Sequence, residues 1–178
     1  WPEDHQQLLP FINSADKEYC FVIAPHKTDA KTIEALQKEI QQPSALYSRR
    51  KNTDLRNVAV LIVDTIGLLT QIYRYAHLAY VGGGFATGLH NTLEPAVYGV
   101  PVLIGPRYQG FREAEDLVAA GGILVVTDAA EGASQAGELM ANPGLRAKLG
   151  KMNKTYIEKN KGASDYILTG IRRLLREP

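Results

Sequence analysis

The chain has 178 residues, 45% hydrophobic and 22% charged, which suits one globular domain with an ordinary buried core. A net charge of +1 argues against a dedicated nucleic-acid binder, and a single cysteine, Cys20, excludes an internal disulfide and fits a reducing compartment. No stretch has the length needed to span a bilayer and no signal-peptide pattern opens the chain; the start "WPEDHQQ", without methionine, reads as that of a piece excised from a longer protein.

Short apolar runs alternate with amphipathic stretches. "YCFVIA" (residues 19–24), "NVAVLIVD" (57–64), "HLAYVG" (77–82), "VPVLIG" (100–105) and "GILVVTD" (122–128) read as strands buried on both faces, with "ALYS" (45–48) as a minor one. Cys20, inside the first run, reads as a buried, inert thiol. Helical patterns lie between the strands, the clearest placing Ile33, Leu36 and Ile40 on one face. Others cover about 67–75, 91–98, 111–120 and 133–141. The predicted fold is therefore α/β, a Rossmann-like doubly wound parallel sheet. Two helices close the chain, one carrying Leu145, Leu149, Met152 and Tyr156, the other starting at Ser164 with Ile167, Leu168, Ile171, Leu174 and Leu175 inward.

Charge is unevenly spread. Residues 143–178 hold nine of the twenty Lys/Arg but only three of the nineteen acidic residues. Such a basic segment is most simply a solvated helix face; the alternative is a surface for anionic lipid headgroups or an acidic partner.

In a sheet of this kind, ligands bind beyond the carboxyl ends of the strands. The stretches found there are "PHKTD", "DTIG", "GGGFATGLHN", "GPRYQGF" and "TDAAEG". The glycine run matches no standard phosphate motif: Thr87 stands where a dinucleotide fingerprint needs glycine, and Leu89 and His90 stand where a P-loop needs Lys and Ser/Thr. What remains is a glycine turn that lets backbone approach a ligand, followed by a helix start whose free amides favour an anion. In "HNTLEP", Asn91 and Glu94 resemble a capping box, in which Glu94 would satisfy backbone donors. Alternatively, Glu94 accepts hydrogen bonds from two ribose hydroxyls and His90 stands beside a phosphate. His90 has no evident packing purpose between a glycine turn and a cap. His77, at the start of an apolar run, reads as structural, and His5 with Glu3 and Asp4 as a helix start. The four histidines have no metal-like spacing.

"FVIAPHK", "VLIVDTIGLLTQIYRYAHLAYVGGGFATGLHNTLEPAVYGVPVLIGPRYQGFREAEDL" and "GGILVVTD" together resemble the carboxyl-terminal half of the 3-deoxy-D-manno-octulosonic acid (Kdo) transferases. The pattern of that family is met by Gly82, Gly83, Gly88, His90, Asn91, Leu93, Glu94, Ala96, Pro101, Val102, Gly105, Pro106, Phe111 and Glu113. "WPED" resembles the tail of the family's glycine-serine turn, which lies near the donor.

The resemblance implies a GT-B glycosyltransferase, with residues 1–178 as its C-terminal nucleotide-sugar binding domain and 143–178 as basic helices of that domain. The whole enzyme would transfer Kdo from CMP-Kdo to the lipid A precursor of lipopolysaccharide, at the cytoplasmic face of the inner membrane of Gram-negative bacteria. Glu94 would hold the ribose of CMP, and Gly83, Gly84, Gly88, His90, Asn91 and Thr92 would surround the phosphate or the Kdo unit. His26 and Lys27 would stand at the same rim, Asp64 and Gly67 would line the nucleotide pocket, and Pro106 and Arg107 would form its edge. Lys27 or Arg107 suits the Kdo carboxylate.

The general base of the family is a glutamate of the amino-terminal domain, so no catalytic residue is assigned here, nor any metal or cofactor. The piece itself is expected to be soluble and inactive alone. Pro25 stands where many relatives have arginine, and Leu68 where relatives often have Glu. The strand expected to lie centrally, before the glycine-serine turn, precedes the first residue, which predicts a distorted sheet or pairing with another chain. Two further readings stand beside this one: another GT-B nucleotide-sugar enzyme, such as a UDP-sugar transferase or epimerase, and a non-catalytic interaction domain.

Overall fold

The computed structural model describes residues 1–86 and 88–175. Thr87 and residues 176–178, with Arg176 of the basic segment, lie outside the described residues. In chain order the elements are α1 (Pro2–Ser14), β1 (Phe21–Ile23), α2 (Ala30–Glu39), β2 (Ser44–Leu46), β3 (Val60–Ile62), α3 (Leu69–Ile72), β4 (Ala79–Val81), α4 (Leu93–Ala96), β5 (Val102–Ile104), α5 (Arg112–Ala119), β6 (Ile123–Val125), α6 (Ala129–Ala141), α7 (Pro143–Asn160) and α8 (Ala163–Leu174). Every predicted strand forms as three residues, five of them inside their apolar runs and β2 shifted one residue ahead of "ALYS".

All pairings are parallel, but they make two sheets rather than one, ordered β1-β3-β2 and β4-β5-β6. Val22 and Ala45 both align with Leu61; Tyr80 aligns with Leu103, which aligns with Leu124. Helix α1 joins the halves. Its Leu9 and Ile12 enter the cluster of Ile33, Leu36, Val60 and Ile62 under the first sheet, while Phe11 packs with Leu103, Val126 and Leu139 beside the second. Val60, Ile62, Val102 and Ile104 are fully buried, as strands covered on both faces require.

Polar caps set where the helices begin. Asp29 accepts the Thr32 amide at the start of α2, and Asp128 accepts the Glu131 amide at the start of α6. Glu131 in turn accepts from the amide and hydroxyl of Thr127, which closes a reciprocal cap. Helix α7 packs against α4, α5 and α6. Its buried Asn153 donates to the carbonyls of Val100 and Gly122, fixing the turns that lead into β5 and β6.

Two expectations are overturned. Cys20 is exposed, not buried; it precedes β1, an edge strand whose Val22 is also open to solvent. The apolar stripe of α8 does not point inward: Ile167, Leu168, Ile171, Leu174 and Leu175 are all exposed. After α7 the chain turns at Gly162 (φ 114°), and α8 leaves along a course that buries none of its residues.

Candidate functional site

The turn after β4 is folded on itself. Ala86 donates its amide to Gly83 O, and His90 donates its own to Gly82 O. Gly83 has φ 97°, and a Cβ there would sit 1.9 Å from Gly88 O. A Cβ on Gly84 would come 2.6 Å from the Gly105 amide nitrogen, and one on Gly105 2.5 Å from the carbonyl carbon of Gly84. These glycines are therefore demanded by backbone meeting backbone: the loops after β4 and β5 lie in direct contact. Arg107 ties the two loops together, its amide donating to Gly84 O and its Nη1 to Ala86 O. Pro106 is half-buried between Gly105 and Arg107.

The amino-terminal turn braces the same loop. Asp4 is buried, and its carboxylate accepts the Gly83 amide at 2.9 Å and the Tyr80 hydroxyl at 2.6 Å. Burial, reinforced by the neighbouring Asp4 carboxylate, pushes the Tyr80 phenol strongly up and keeps it neutral.

Three rings from three segments meet at the rim. Trp1 stacks on His26 with centroids 4.2 Å apart and donates Nε1–H to His90 Nε2 at 3.1 Å. The His26 and His90 rings are 5.2 Å apart. Although largely exposed, the His90 imidazole is held below its ordinary value, first by partial desolvation at the rim and then by repulsion from His26 and the amino terminus, opposed by Asp4 and Glu94. Lys27 is exposed on the turn that carries His26.

The start of α4 shows how far "HNTLEP" behaves as a capping box. Asn91 Oδ1 accepts the Leu93 amide, so Asn91 caps the turn. Glu94 does not reciprocate: among the described residues no protein donor is hydrogen-bonded to it, and it is half-buried. Its charge reaches His90 and Tyr73, whose phenol is pushed up to about 12 by burial and then by Glu94. Thr92 is buried with its hydroxyl unpaired.

Asp64 is hydrogen-bonded to Ser48. Burial raises its carboxyl, but the Ser48 amide and hydroxyl, at 2.9 and 2.5 Å, outweigh that and hold it below the usual range. Gly67 (φ 91°) lies in an open turn, where an added Cβ would meet no atom within 4 Å. Gly88 lies opposite the Phe111 ring, with 3.8 Å between that ring and the place a Cβ would take. Sequence reasoning did not single out Trp1 or Tyr80, and treated Asp4 mainly as a helix start. The signal that could have found Trp1 and Asp4 is the "WPED" turn; Tyr80 sits inside a strand run and carries no such signal.

No family model matches the chain. Curated relatives do. It is 36% identical over 124 residues to a 3-deoxy-D-manno-octulosonic acid transferase of Chlamydophila psittaci, covering 67% of this chain and 28% of that protein. It is 30% identical over 167 residues to the enzyme of that name from Chlamydia pneumoniae, covering 91% of this chain and 38% of that protein. The Bordetella pertussis enzyme is 31% identical over 131 residues, covering 71% and 31%. The chain thus spans about a third of the length of these relatives. Among solved structures it is similar to the C-terminal CMP-Kdo binding domain of WaaA from Acinetobacter baumannii, with TM-score 0.75 and 24% identity over 88% of this chain and 83% of that one. Spinosyn forosaminyltransferase SpnP shares the fold more distantly, with TM-score 0.55 and 18% identity over 94% of this chain and 46% of that one. The chain is therefore a homologue of part of the 3-deoxy-D-manno-octulosonic acid transferases, with the fold of the C-terminal domain of a GT-B glycosyltransferase.

Proposed function

We propose that residues 1–178 form the donor-binding half of a Kdo transferase and bind CMP-Kdo at the rim of Glu94, His90 and His26. The observation that carries this reading is Glu94. It is a half-buried carboxylate that caps nothing and bonds to no protein donor among the described residues, in the first turn of α4 just after a histidine whose outer edge is also unpaired. A carboxylate so placed suits a pair of ribose hydroxyls. His90, Asn91 and Thr92 then surround the phosphate or the Kdo unit, with the turn of Gly83, Gly84 and Gly88 as their scaffold. Lys27 and Arg107 offer positive charge to the Kdo carboxylate, and Asp64, Gly67 and Pro106 border the pocket.

The reaction is transfer of Kdo to the lipid A precursor, at the cytoplasmic face of the inner membrane of a Gram-negative bacterium. It needs a general base to deprotonate the acceptor hydroxyl, supplied by the amino-terminal half of the enzyme. No described helix of this chain is long and apolar enough to cross a membrane.

Calorimetric titration with CMP, with UDP as comparator and Glu94→Ala as control, tests the reading. CMP binding that UDP does not match and that the substitution removes is the expected result. Tighter binding of UDP would favour a UDP-sugar enzyme, and binding of neither would favour an interaction domain.

A further inference from the structure

The imidazole of His90 is held on one side only. Its backbone amide is fixed by Gly82 O, and its ring is fixed by Trp1, whose indole N–H points at Nε2 from 3.1 Å. An indole nitrogen can only donate, so Nε2 must be the nitrogen without a proton. In a neutral ring the proton then sits on Nδ1, since the bond made by one nitrogen decides the state of the other. Neutrality is favoured here because partial desolvation and the facing His26 both hold the His90 imidazole down, and because Nε2 already accepts the indole N–H. Among the described residues no protein acceptor meets Nδ1. The Trp1 indole is itself held in place by stacking on His26.

We infer that Trp1 is a positioning residue which locks His90 in the Nδ1–H tautomer and so makes it an outward hydrogen-bond donor of this site. On the donor-binding reading above, that N–H meets an anionic oxygen of the nucleotide sugar, while Glu94 accepts from its hydroxyls. One side of the rim then donates and the other accepts, which orients a ligand carrying both kinds of group. The inference rests on that reading only for the identity of the ligand; the tautomer is a property of the chain alone.

The experiment is long-range nitrogen–proton NMR of the histidine rings in the whole chain, joined to CMP titration. His90 should show the Nδ1–H pattern in the wild type and lose it in Trp1→Phe, which keeps a ring over His26 and removes the indole donor. CMP affinity of that variant should fall by roughly two- to tenfold, the range of one net hydrogen bond. His90→Asn, whose amide nitrogen lies where Nδ1 lies, should retain more affinity than His90→Gln, whose amide nitrogen lies nearer the Nε2 position. An Nε2–H pattern in the wild type, or a pattern untouched by Trp1→Phe, overturns the inference. If the wild type shows Nδ1–H, Trp1→Phe abolishes it and CMP nevertheless does not bind, the positioning role stands and the donor reading fails.

Discussion

The Asp4 carboxylate accepts the Gly83 amide across 79 positions of sequence, from within a helix to the heart of the glycine turn. Because Asp4 is 2% exposed, removing it leaves that amide and the Tyr80 hydroxyl without their partner in a place water does not readily reach. Asp4→Ala should lower unfolding stability by about 1–3 kcal/mol, the cost of stranding buried donors. Tyr80→Phe, which leaves the Gly83 bond intact, should cost less. Urea unfolding checks this through a lowered midpoint at unchanged slope.

The contact between the loops after β4 and β5 leaves no room for a methyl group. Gly84→Ala and Gly105→Ala should each destabilise by about 1–3 kcal/mol through overlap of backbone with Cβ. In a domain of this size that lowers the melting temperature by about 2–4 °C per kcal/mol. Gly137 provides the contrast, since it lies inside α6 and an added Cβ would meet nothing within 4 Å. Gly137→Ala should stabilise by about 0.5–1 kcal/mol. Thermal melts of the three variants rank them.

Glu94 separates stability from binding. It satisfies no protein donor among the described residues, so Glu94→Gln should change unfolding stability by no more than about 0.5 kcal/mol while weakening CMP binding at least tenfold. A large loss of stability in this variant would instead mark Glu94 as part of the helix cap.

Acid should destabilise the rim through its histidine. The folded state holds the His90 imidazole below its ordinary value of 6.5, so below that pH the unfolded chain binds more protons than the folded one. The stability contributed by neutral His90 is complete above about pH 6.5 and is lost as pH falls through the folded value. His5, lowered mainly by burial, acts in the same direction. Unfolding measured from about pH 7.5 down to about 5 should show a decline that His90→Asn reduces.

Helix α8 buries nothing, and its removal tests that directly. A chain ending at Lys161 should unfold at nearly the same denaturant midpoint as the whole. A drop of several kcal/mol would show that its apolar stripe has a partner within the chain.

Much was legible from local pattern, because burial on both faces leaves a continuous apolar signature and alternation with helices leaves a period. The strand runs around Val60, Val102 and Ile123 needed nothing more, and Ile33 and Leu36 announced the inner face of α2. The stretch from His90 to Glu94 could be recognised as chemistry, but its two readings differ only in whether Glu94 turns back to the cap. Pattern cannot decide that, since both readings ask for the same residue types at the same spacing.

Tertiary structure decided the rest, for one reason: it depends on which distant groups meet. The amphipathic pattern of α8 describes a helix with one apolar face, and is silent on whether anything covers that face. The apolar run around Cys20 did not reveal that β1 is an edge. Glycine spacing alone did not show that Gly84 and Gly105 meet backbone to backbone. Trp1 and Asp4 lie far along the chain from Tyr80, Gly83 and His90, and only folding brings an indole to an imidazole and a buried carboxylate to a glycine amide. Period and composition carry the hydrophobic contribution to the fold, which is set residue by residue; the hydrogen bonds that shape the site are directional and pairwise, so they exist only once both partners are in place.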